Sequence, residues 1–326
     1  MHSHVKLNLK PILTINLSTN GLQNLSTFPL KLGEASYYTM DDGILLLQSL
    51  DHYLAHIHLY EYKIEKHALV DLEITETSFF MVATLDGCAI LYNEADEMVS
   101  EVFGNSCRLV CLKPGKYKCS VMCGEHQIQL LNIWPEWLIK KYGALEELRE
   151  LIACYDDYEL ESFSLPGFSI GHQVFTGLRT MNKGIGFRDL DNDMHTFVND
   201  CISRYLVKLH DSIRQAKNQE LKAREIGEFV TANFASKIVG DEPALASHFM
   251  ISTTMLIRLA KLYFGRPLHQ QVIELRAHHG LKMLLATQYT VQEIATRVGY
   301  DDPKYFSRLF KKRFGITPNE VRICVI

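Results

Sequence analysis

Apolar and polar positions along the chain follow three successive rhythms. Residues 1 to about 135 read as strands. Tyr53–Tyr62, Phe79–Leu85 and Cys88–Tyr92 are rich in β-branched, aromatic and other strand-forming residues. Asp86-Gly87, a dipeptide favoured in two-residue turns, stands between the last two and predicts a hairpin. Pro114-Gly115 likewise divides Cys107–Leu112 from Lys116–Cys123 and predicts a second hairpin. Many short strands joined in this way imply a small barrel or sandwich. From about Pro135 the period lengthens. Leu190, Met194, Phe197, Cys201, Tyr205, Leu209 and Ile213 recur at steps of three or four and predict one long amphipathic helix. Such a stripe packs either on the helix's own β-domain or against a second copy, with Phe197, Cys201, Tyr205 and Leu209 at the centre of a dimer interface in the latter case. Asn218-Gln219-Glu220 is the expected linker to a third, all-helical region.

Composition adds a contrast between these regions. Of 326 residues, 47% are apolar and 22% charged, as in a folded globular protein rather than a disordered one. The net charge of −4 divides unevenly. From Glu220 onward there are 15 Lys plus Arg against 10 Asp plus Glu, a net of +5, whereas the rest has 19 against 28, a net of −9. A basic C-terminal piece on an acidic body suits a polyanion-binding module carried by a regulatory domain. No apolar run reaches the roughly 18 residues that would span a bilayer. The opening Met1-His2-Ser3-His4-Val5-Lys6 lacks a signal peptide's apolar core, so the expected location is the cytoplasm, with no membrane partner. Eight scattered cysteines fit reduced thiols better than a disulfide framework.

The C-terminal region carries the sharpest pattern. Thr290 is placed to cap a short helix through Arg297, Ala295 is small where a second helix crosses, and Gly299 stops the helix in a left-handed turn. Asp302-Pro303 then starts another helix, an N-cap followed by proline at the first helical position. This second helix, Lys304–Phe314, directs Phe306, Leu309, Phe310 and Phe314 inward and leaves Lys304, Ser307, Arg308, Lys311 and Lys312 on other faces. Short helix, tight turn and basic second helix make a helix-turn-helix. An earlier stretch repeats it. Asp241-Glu242-Pro243 starts a helix through Leu245 and Ala246, and Ser252 caps a second helix from Thr253 to Tyr263. Aligned on the caps, Ser252 corresponds to Asp302, Arg258 to Arg308, Lys261 to Lys311 and Gly265 to Gly315. Between the units, Leu268–Ala286 would span roughly 28 Å as a helix. That is near the ~34 Å of one DNA turn, so two recognition helices could enter successive major grooves.

Residues from about 220 to 322 resemble the AraC/XylS-type DNA-binding domain. The resemblance rests on Ile294-Ala295, Val298-Gly299-Tyr300, Phe306, Arg308, Phe310-Lys311, Phe314-Gly315, Thr317-Pro318 and Arg322. In the first unit it rests on Leu245-Ala246, Ser252, Leu256, Arg258-Leu259, Lys261 and Gly265, with Arg276 between the units. Pro243-Ala244-Leu245-Ala246 further resembles the PchR-like subgroup. The resemblance implies an α+β chain in three parts: a β-rich, cupin-like barrel or sandwich over 1–140, a helical segment over 141–217 that offers a surface for dimerisation, and a double helix-turn-helix domain over 218–326. It implies a sequence-specific transcription regulator rather than an enzyme, with no cofactor. Expected partners are double-stranded operator DNA, a second copy and RNA polymerase, with activation favoured over repression. A small-molecule effector of unknown identity would act on the front domain. The alternative is a ligand-free front domain controlled by a protein partner or by abundance.

The resemblance assigns base reading to Thr253, Thr254, Ile257 and Arg258 in the first unit and to Pro303, Lys304, Ser307 and Arg308 in the second. Arginine can donate two bonds to a guanine edge, so Arg258 and Arg308 lead. Lys261, Lys311 and Lys312 suit phosphate, which confers affinity without sequence information. Leu245, Ala246, Ser252, Ala295, Gly299, Asp302, Phe306 and Phe310 would hold the two units in shape. Two departures weaken the first: Met250 stands where Gly299 stands in the second, and Ala260 stands opposite Phe310.

Little in the front region carries chemistry. His56-x-His58 could place two imidazoles on one strand face, but no further matching ligand follows, so the reading is structural or surface histidines. Cys107-x3-Cys111 and Cys119-x3-Cys123 have zinc-like spacing. Across the expected Pro114-Gly115 hairpin the two pairs would face opposite sides, so no metal site is expected. Trp134 and Trp137 are expected to cover a sheet edge. No phosphate-cradling glycine loop, nucleophile elbow or metalloprotease helix occurs.

Overall fold

The computed structural model describes residues 3–17, 22, 25–30, 32–181 and 187–323; Met1, His2 and Cys324 therefore lie outside the described residues. Contacts divide the chain into two compact units, Met1–Asp211 and Ser212–Ile326.

The first unit contains β1 Val5–Leu7, β2 Leu13–Leu17, β3 Glu34–Met40, β4 Gly43–Asp51, β5 Ala55–Ile64, β6 Ala68–Ile74, β7 Ser78–Asp86, β8 Cys88–Tyr92, β9 Met98–Phe103, β10 Cys107–Leu112, β11 Gly115–Val121, β12 Gly124–Ile133 and β13 Phe163–Ser164. They form two antiparallel sheets, one of five strands in the order β1-β6-β11-β8-β9 and one of eight in the order β13-β10-β7-β12-β5-β4-β3-β2. The front unit is thus β-rich, as its sequence predicts. Helices α1 Pro135–Tyr142, α2 Arg149–Asp156 and α3 Gly171–Met181 follow, then α4 Phe187–Ala232.

The central strands β5, β7 and β10 of the larger sheet are buried on both faces, which explains why they read as nearly continuous apolar runs. In β7, Phe79, Met81 and Ala83 join a core with the helices, whereas Phe80 and Val82 face the smaller sheet. In β5, Ile57 and Leu59 take the helical side and Tyr60, Tyr62 and Ile64 the inter-sheet side. This is the two-residue alternation of a pleated strand, with apolar side chains on both phases.

Neither expected hairpin forms. β7 pairs with β10 and β12 in the larger sheet, while β8 pairs with β9 and β11 in the smaller. Asp86-Gly87 is therefore a corner at which the chain changes sheets; the Asp86 carboxylate accepts the Gly87 N–H at 2.7 Å. Pro114-Gly115 is the same kind of corner, because β10 belongs to the larger sheet and β11 to the smaller. The two cysteine-bearing strands therefore do not face each other across a hairpin: Cys111 lies opposite Phe79 and Phe163, and Cys119 opposite Val70 and Leu91. A turn dipeptide specifies a local reversal, and the partner strand is chosen by distant packing.

The linker expectation also fails. Asn218-Gln219-Glu220 lies inside the 46-residue α4, since Gln and Glu are good helix formers and no proline intervenes. The helical stripe is buried in the N-terminal unit's own core, with Tyr205 fully buried and its hydroxyl donating to the Pro166 carbonyl at 2.7 Å. Phe197, Cys201, Tyr205 and Leu209, expected at a dimer contact, are enclosed with it. Those four side chains are thus packed within this unit, while Ile213, the last position of the predicted stripe, is exposed.

The second unit is all helical: the end of α4, then α5 Lys237–Gly240, α6 Glu242–His248, α7 Thr253–Phe264, α8 Leu268–Ala286, α9 Val291–Arg297, α10 Pro303–Phe314 and α11 Pro318–Ile323. Its core is double. Ala223, Ile226 and Val230 of α4 pack with α6, α7 and the start of α8, and the rest of α8 packs with α9, α10 and α11.

Candidate nucleic-acid interface

Each helix-turn-helix begins with a capped helix. Asp241 accepts the Ala244 N–H at 3.1 Å to start α6, and Thr290 with Glu293 forms a reciprocal capping box on α9. The turns that follow have the same hydrogen bonds, residue for residue. Met250 N–H reaches Ser247 O at 3.1 Å and Ile251 N–H reaches Ala246 O at 3.0 Å. In the second unit Gly299 N–H reaches Thr296 O at 3.1 Å and Tyr300 N–H reaches Ala295 O at 2.9 Å. Both turn residues are left-handed, Met250 at φ 54° and Gly299 at φ 93°.

What differs is the space around them. A Cβ on Gly299 would lie 2.4 Å from the Ala235 carbonyl oxygen, whereas the Met250 side chain is 91% exposed. Glycine at 299 answers a close backbone approach as well as a conformation. Met250 meets only the conformational cost, about 1 kcal/mol.

Ser252 accepts the Met255 N–H at 3.2 Å to open α7, and Asp302 accepts the Lys304 N–H at 2.9 Å to open α10. These are the two recognition helices. Each is closed by a left-handed glycine, Gly265 or Gly315. Leu245, Ala246, Ala295, Phe306 and Phe310 are all buried, and Phe306 crosses α8 closely at Gly280, where a Cβ would lie 2.9 Å from its ring. Ala260 is buried too, in a core that also holds Phe249, which stands edge-on to Phe229 with ring centres 5.4 Å apart.

The other assigned side chains fall on the outward faces. Thr254, Ile257, Arg258, Lys304 and Arg308 are exposed, and Thr253, Pro303 and Ser307 are half-buried. Lys261, Lys311 and Lys312 are exposed one to two turns further along. The two arginines are held differently. Arg308 lies over the Tyr305 ring at 5.1 Å, while Arg258 donates to the Met255 sulfur at 2.9 Å. Ser307 donates its hydroxyl to the Pro303 carbonyl at 2.9 Å, leaving its oxygen free to accept.

The connecting helix α8 holds the unit together through Arg276. This residue is 6% exposed, and its guanidinium donates to the carbonyls of Phe234 at 2.8 Å, Gly299 at 2.9 Å and Ser236 at 3.2 Å, with the Tyr300 ring 5.1 Å away. Burial lowers its pKa from the ordinary arginine value, and the adjacent Tyr300 opposes that shift. Two further ties were not legible in the sequence. Glu274 of α8 receives Arg313 of α10 in a two-pronged ion pair at 2.7 and 2.5 Å, which holds its carboxyl below the usual range. Arg322 of α11 donates to the Tyr289 carbonyl, and Arg297 lies 4.1 Å from the Tyr289 ring. Partners 39 and 33 positions apart leave no local signal.

In the front unit, the histidine pair is structural. His56 Nδ1 is 3.0 Å from Asp51 and His58 Nδ1 is 3.2 Å from the Tyr60 hydroxyl, both rings being buried. Burial pushes His58 down to about 4. Among the described residues no cluster of three or more His, Cys, Asp or Glu could hold a metal ion. The cysteines at 88, 107, 111, 119, 123, 154 and 201 are free. Between the two sheets lies a cavity of about 90 Å³, walled by Val70, Val82, Ile128 and Leu130, with Tyr60 and Tyr62 on one side. No described helix is long and apolar enough to cross a membrane.

Comparison with known proteins supports this reading of the C-terminal unit. A helix-turn-helix domain family matches residues 245–323. The regulator ArgR of Pseudomonas aeruginosa is 32% identical over 91 residues, 28% of this chain and 27% of that protein. The transcriptional activator RhaS of Mannheimia succiniciproducens is 32% identical over 106 residues, 32% of this chain and 39% of that one. The chain thus spans well under half the length of either relative. The C-terminal domain of AraT, a response regulator from Geobacillus stearothermophilus, is 30% identical over 32% of this chain and 84% of that domain, with a TM-score of 0.30. The C-terminal unit carries a helix-turn-helix domain over residues 245–323.

Proposed function

We propose that this protein is a cytoplasmic, sequence-specific DNA-binding transcription regulator, acting as an activator. The observation that carries the proposal is the pairing of two recognition helices, α7 and α10, each capped at its start and each with exposed arginine and lysine on its outward face. In this reading Thr253, Thr254, Ile257 and Arg258 read one major groove and Pro303, Lys304, Ser307 and Arg308 the next, while Lys261, Lys311 and Lys312 meet phosphates. Activation follows the description of RhaS as an activator and implies a contact with RNA polymerase. A homodimer, in the same reading, uses a surface other than the enclosed stripe of α4.

The deciding experiment is genome-wide mapping of bound sites in the native host, followed by titration of a recovered site. A footprint covering two successive major grooves, bound far more tightly than scrambled duplex, is the expected result. Equal affinity for scrambled and recovered sequence sinks the proposal.

The inter-sheet cavity supports control by a small apolar effector, which would settle against Tyr60 and Tyr62. Its size favours the second reading, a front unit without a ligand. About 90 Å³ is well below the roughly 300 Å³ of an ordinary ligand pocket. Thermal shift of the full chain against apolar metabolites separates the two: a dose-dependent rise supports the effector, and no shift across the library supports control by a protein partner or abundance.

A further inference from the structure

Cys111 on β10 and Cys154 on α2 are far apart in sequence, and both are essentially fully buried at the joint between the larger sheet and its helical layer. Their side chains hydrogen-bond to each other. The Cys154 thiol also donates to the Glu161 carbonyl at 3.1 Å and approaches that of Cys111 at 4.0 Å. The loop that carries Glu161 lies against Cys154. Residues 157–162 form an irregular loop whose Tyr158 is 88% exposed. Lys113 fastens this loop, its ammonium donating to the Cys154 carbonyl and, at 2.7 Å, to that of Asp157.

We propose that Cys111 and Cys154 form a reversible dithiol–disulfide site, oxidised by hydrogen peroxide with Cys154 as the attacking sulfur and Cys111 as the resolving one. The roles follow from geometry. Cys154 lies under the exposed loop beside the Lys113 ammonium, which favours thiolate once the proton directed at the Glu161 carbonyl has left, whereas Cys111 is enclosed within a sheet. The pKa directions agree: the bond from Cys111, then the charge of Lys113, bring Cys154 below the ordinary thiol value, and the same bond together with burial pushes Cys111 up.

In the first step the Cys154 thiolate attacks one peroxide oxygen, the O–O bond breaks, and the departing hydroxide takes a proton to leave as water. Cys154 is then a sulfenic acid. In the second step the Cys111 sulfur attacks the Cys154 sulfur. The S–O bond breaks, and the hydroxyl leaves as water with the proton from Cys111. Two thiols have lost two electrons, and one peroxide has become two waters. An external thiol such as dithiothreitol reverses the bond by exchange.

The test uses the full chain, reduced, freed of reductant, treated with hydrogen peroxide, alkylated and digested without reductant. Mass spectrometry should find one peptide pair joined through Cys111 and Cys154, lighter by two hydrogen atoms and lost on treatment with dithiothreitol. Closing a long loop should also raise the melting temperature by roughly 5 °C. Cys123→Ser, which removes the exposed thiol, should leave the cross-link intact. Cys111→Ser should leave Cys154 as a sulfenic acid that dimedone traps. Recovery of Cys111 fully alkylated from peroxide-treated wild type overturns the proposal, whether Cys154 is unmodified or has passed to sulfinic acid. This wild-type measurement decides the matter even if a variant fails to fold.

Discussion

The two helix-turn-helix units have nearly the same local design and differ in what surrounds it. Both have an oxygen-capped first helix, the same pair of turn hydrogen bonds, a capped recognition helix and a left-handed closing glycine. The second unit adds backbone contact at Gly299, the Arg276 guanidinium on the Gly299 carbonyl, and the Arg313–Glu274 ion pair on its recognition helix. In the first unit, Met250 sits in solvent at the corresponding turn. A loose unit and a tight unit can therefore share one motif, because the motif specifies hydrogen bonds within about ten residues and says nothing of what lies across the fold.

The largest effect should come from Arg276→Ala. It removes a buried guanidinium and strands three carbonyls, at a cost of about 3 kcal/mol or more in thermal or urea unfolding of the full chain. A loss no larger than that of an exposed arginine would mean that α8 does not depend on this tie.

Next come the two turns, exchanged in opposite senses. Gly299→Ala should lose roughly 2–3 kcal/mol, because a Cβ meets the Ala235 carbonyl and φ is positive. Met250→Gly should gain up to about 1 kcal/mol. Equal and opposite shifts in urea midpoint would erase the distinction drawn between the turns.

The third comparison is functional. Arg308→Ala should weaken operator binding by about 2–3 kcal/mol and Arg258→Ala by less, near 1 kcal/mol, in a titration at fixed salt. Arg308 is steadied over Tyr305 on the better-tied helix, and Arg258 is engaged by Met255. Equal losses would make the two units equivalent readers despite their different settings.

The smallest effect belongs to Glu274. Its folded pKa is depressed, chiefly by the hydrogen bond from Arg313, so its contribution is present above the ordinary glutamate pKa and lost as pH falls through the folded value. The pair is partly exposed, so Glu274→Gln should cost under about 1 kcal/mol at neutral pH and nothing in strong acid. A pH-independent difference between variant and wild type in urea unfolding would assign that cost to packing.

The sequence by itself determined the features whose causes lie close together along the chain. Thr290, Asp302-Pro303, the left-handed glycine at 299 and the apolar spacing of α7 and α10 all sit within a few turns of what they specify. The β-rich character of the front unit was legible for the same reason, since a strand's pattern lies within the strand. Tertiary structure alone decided which strands pair across Asp86-Gly87 and Pro114-Gly115, and which surface the α4 stripe covers. It also decided which carbonyls Arg276 satisfies and that Cys111 meets Cys154. Each of these turns on partners tens of residues apart. An apolar stripe has the same pattern whether it faces its own sheet or a second copy, and a turn dipeptide reverses the chain without choosing the neighbour.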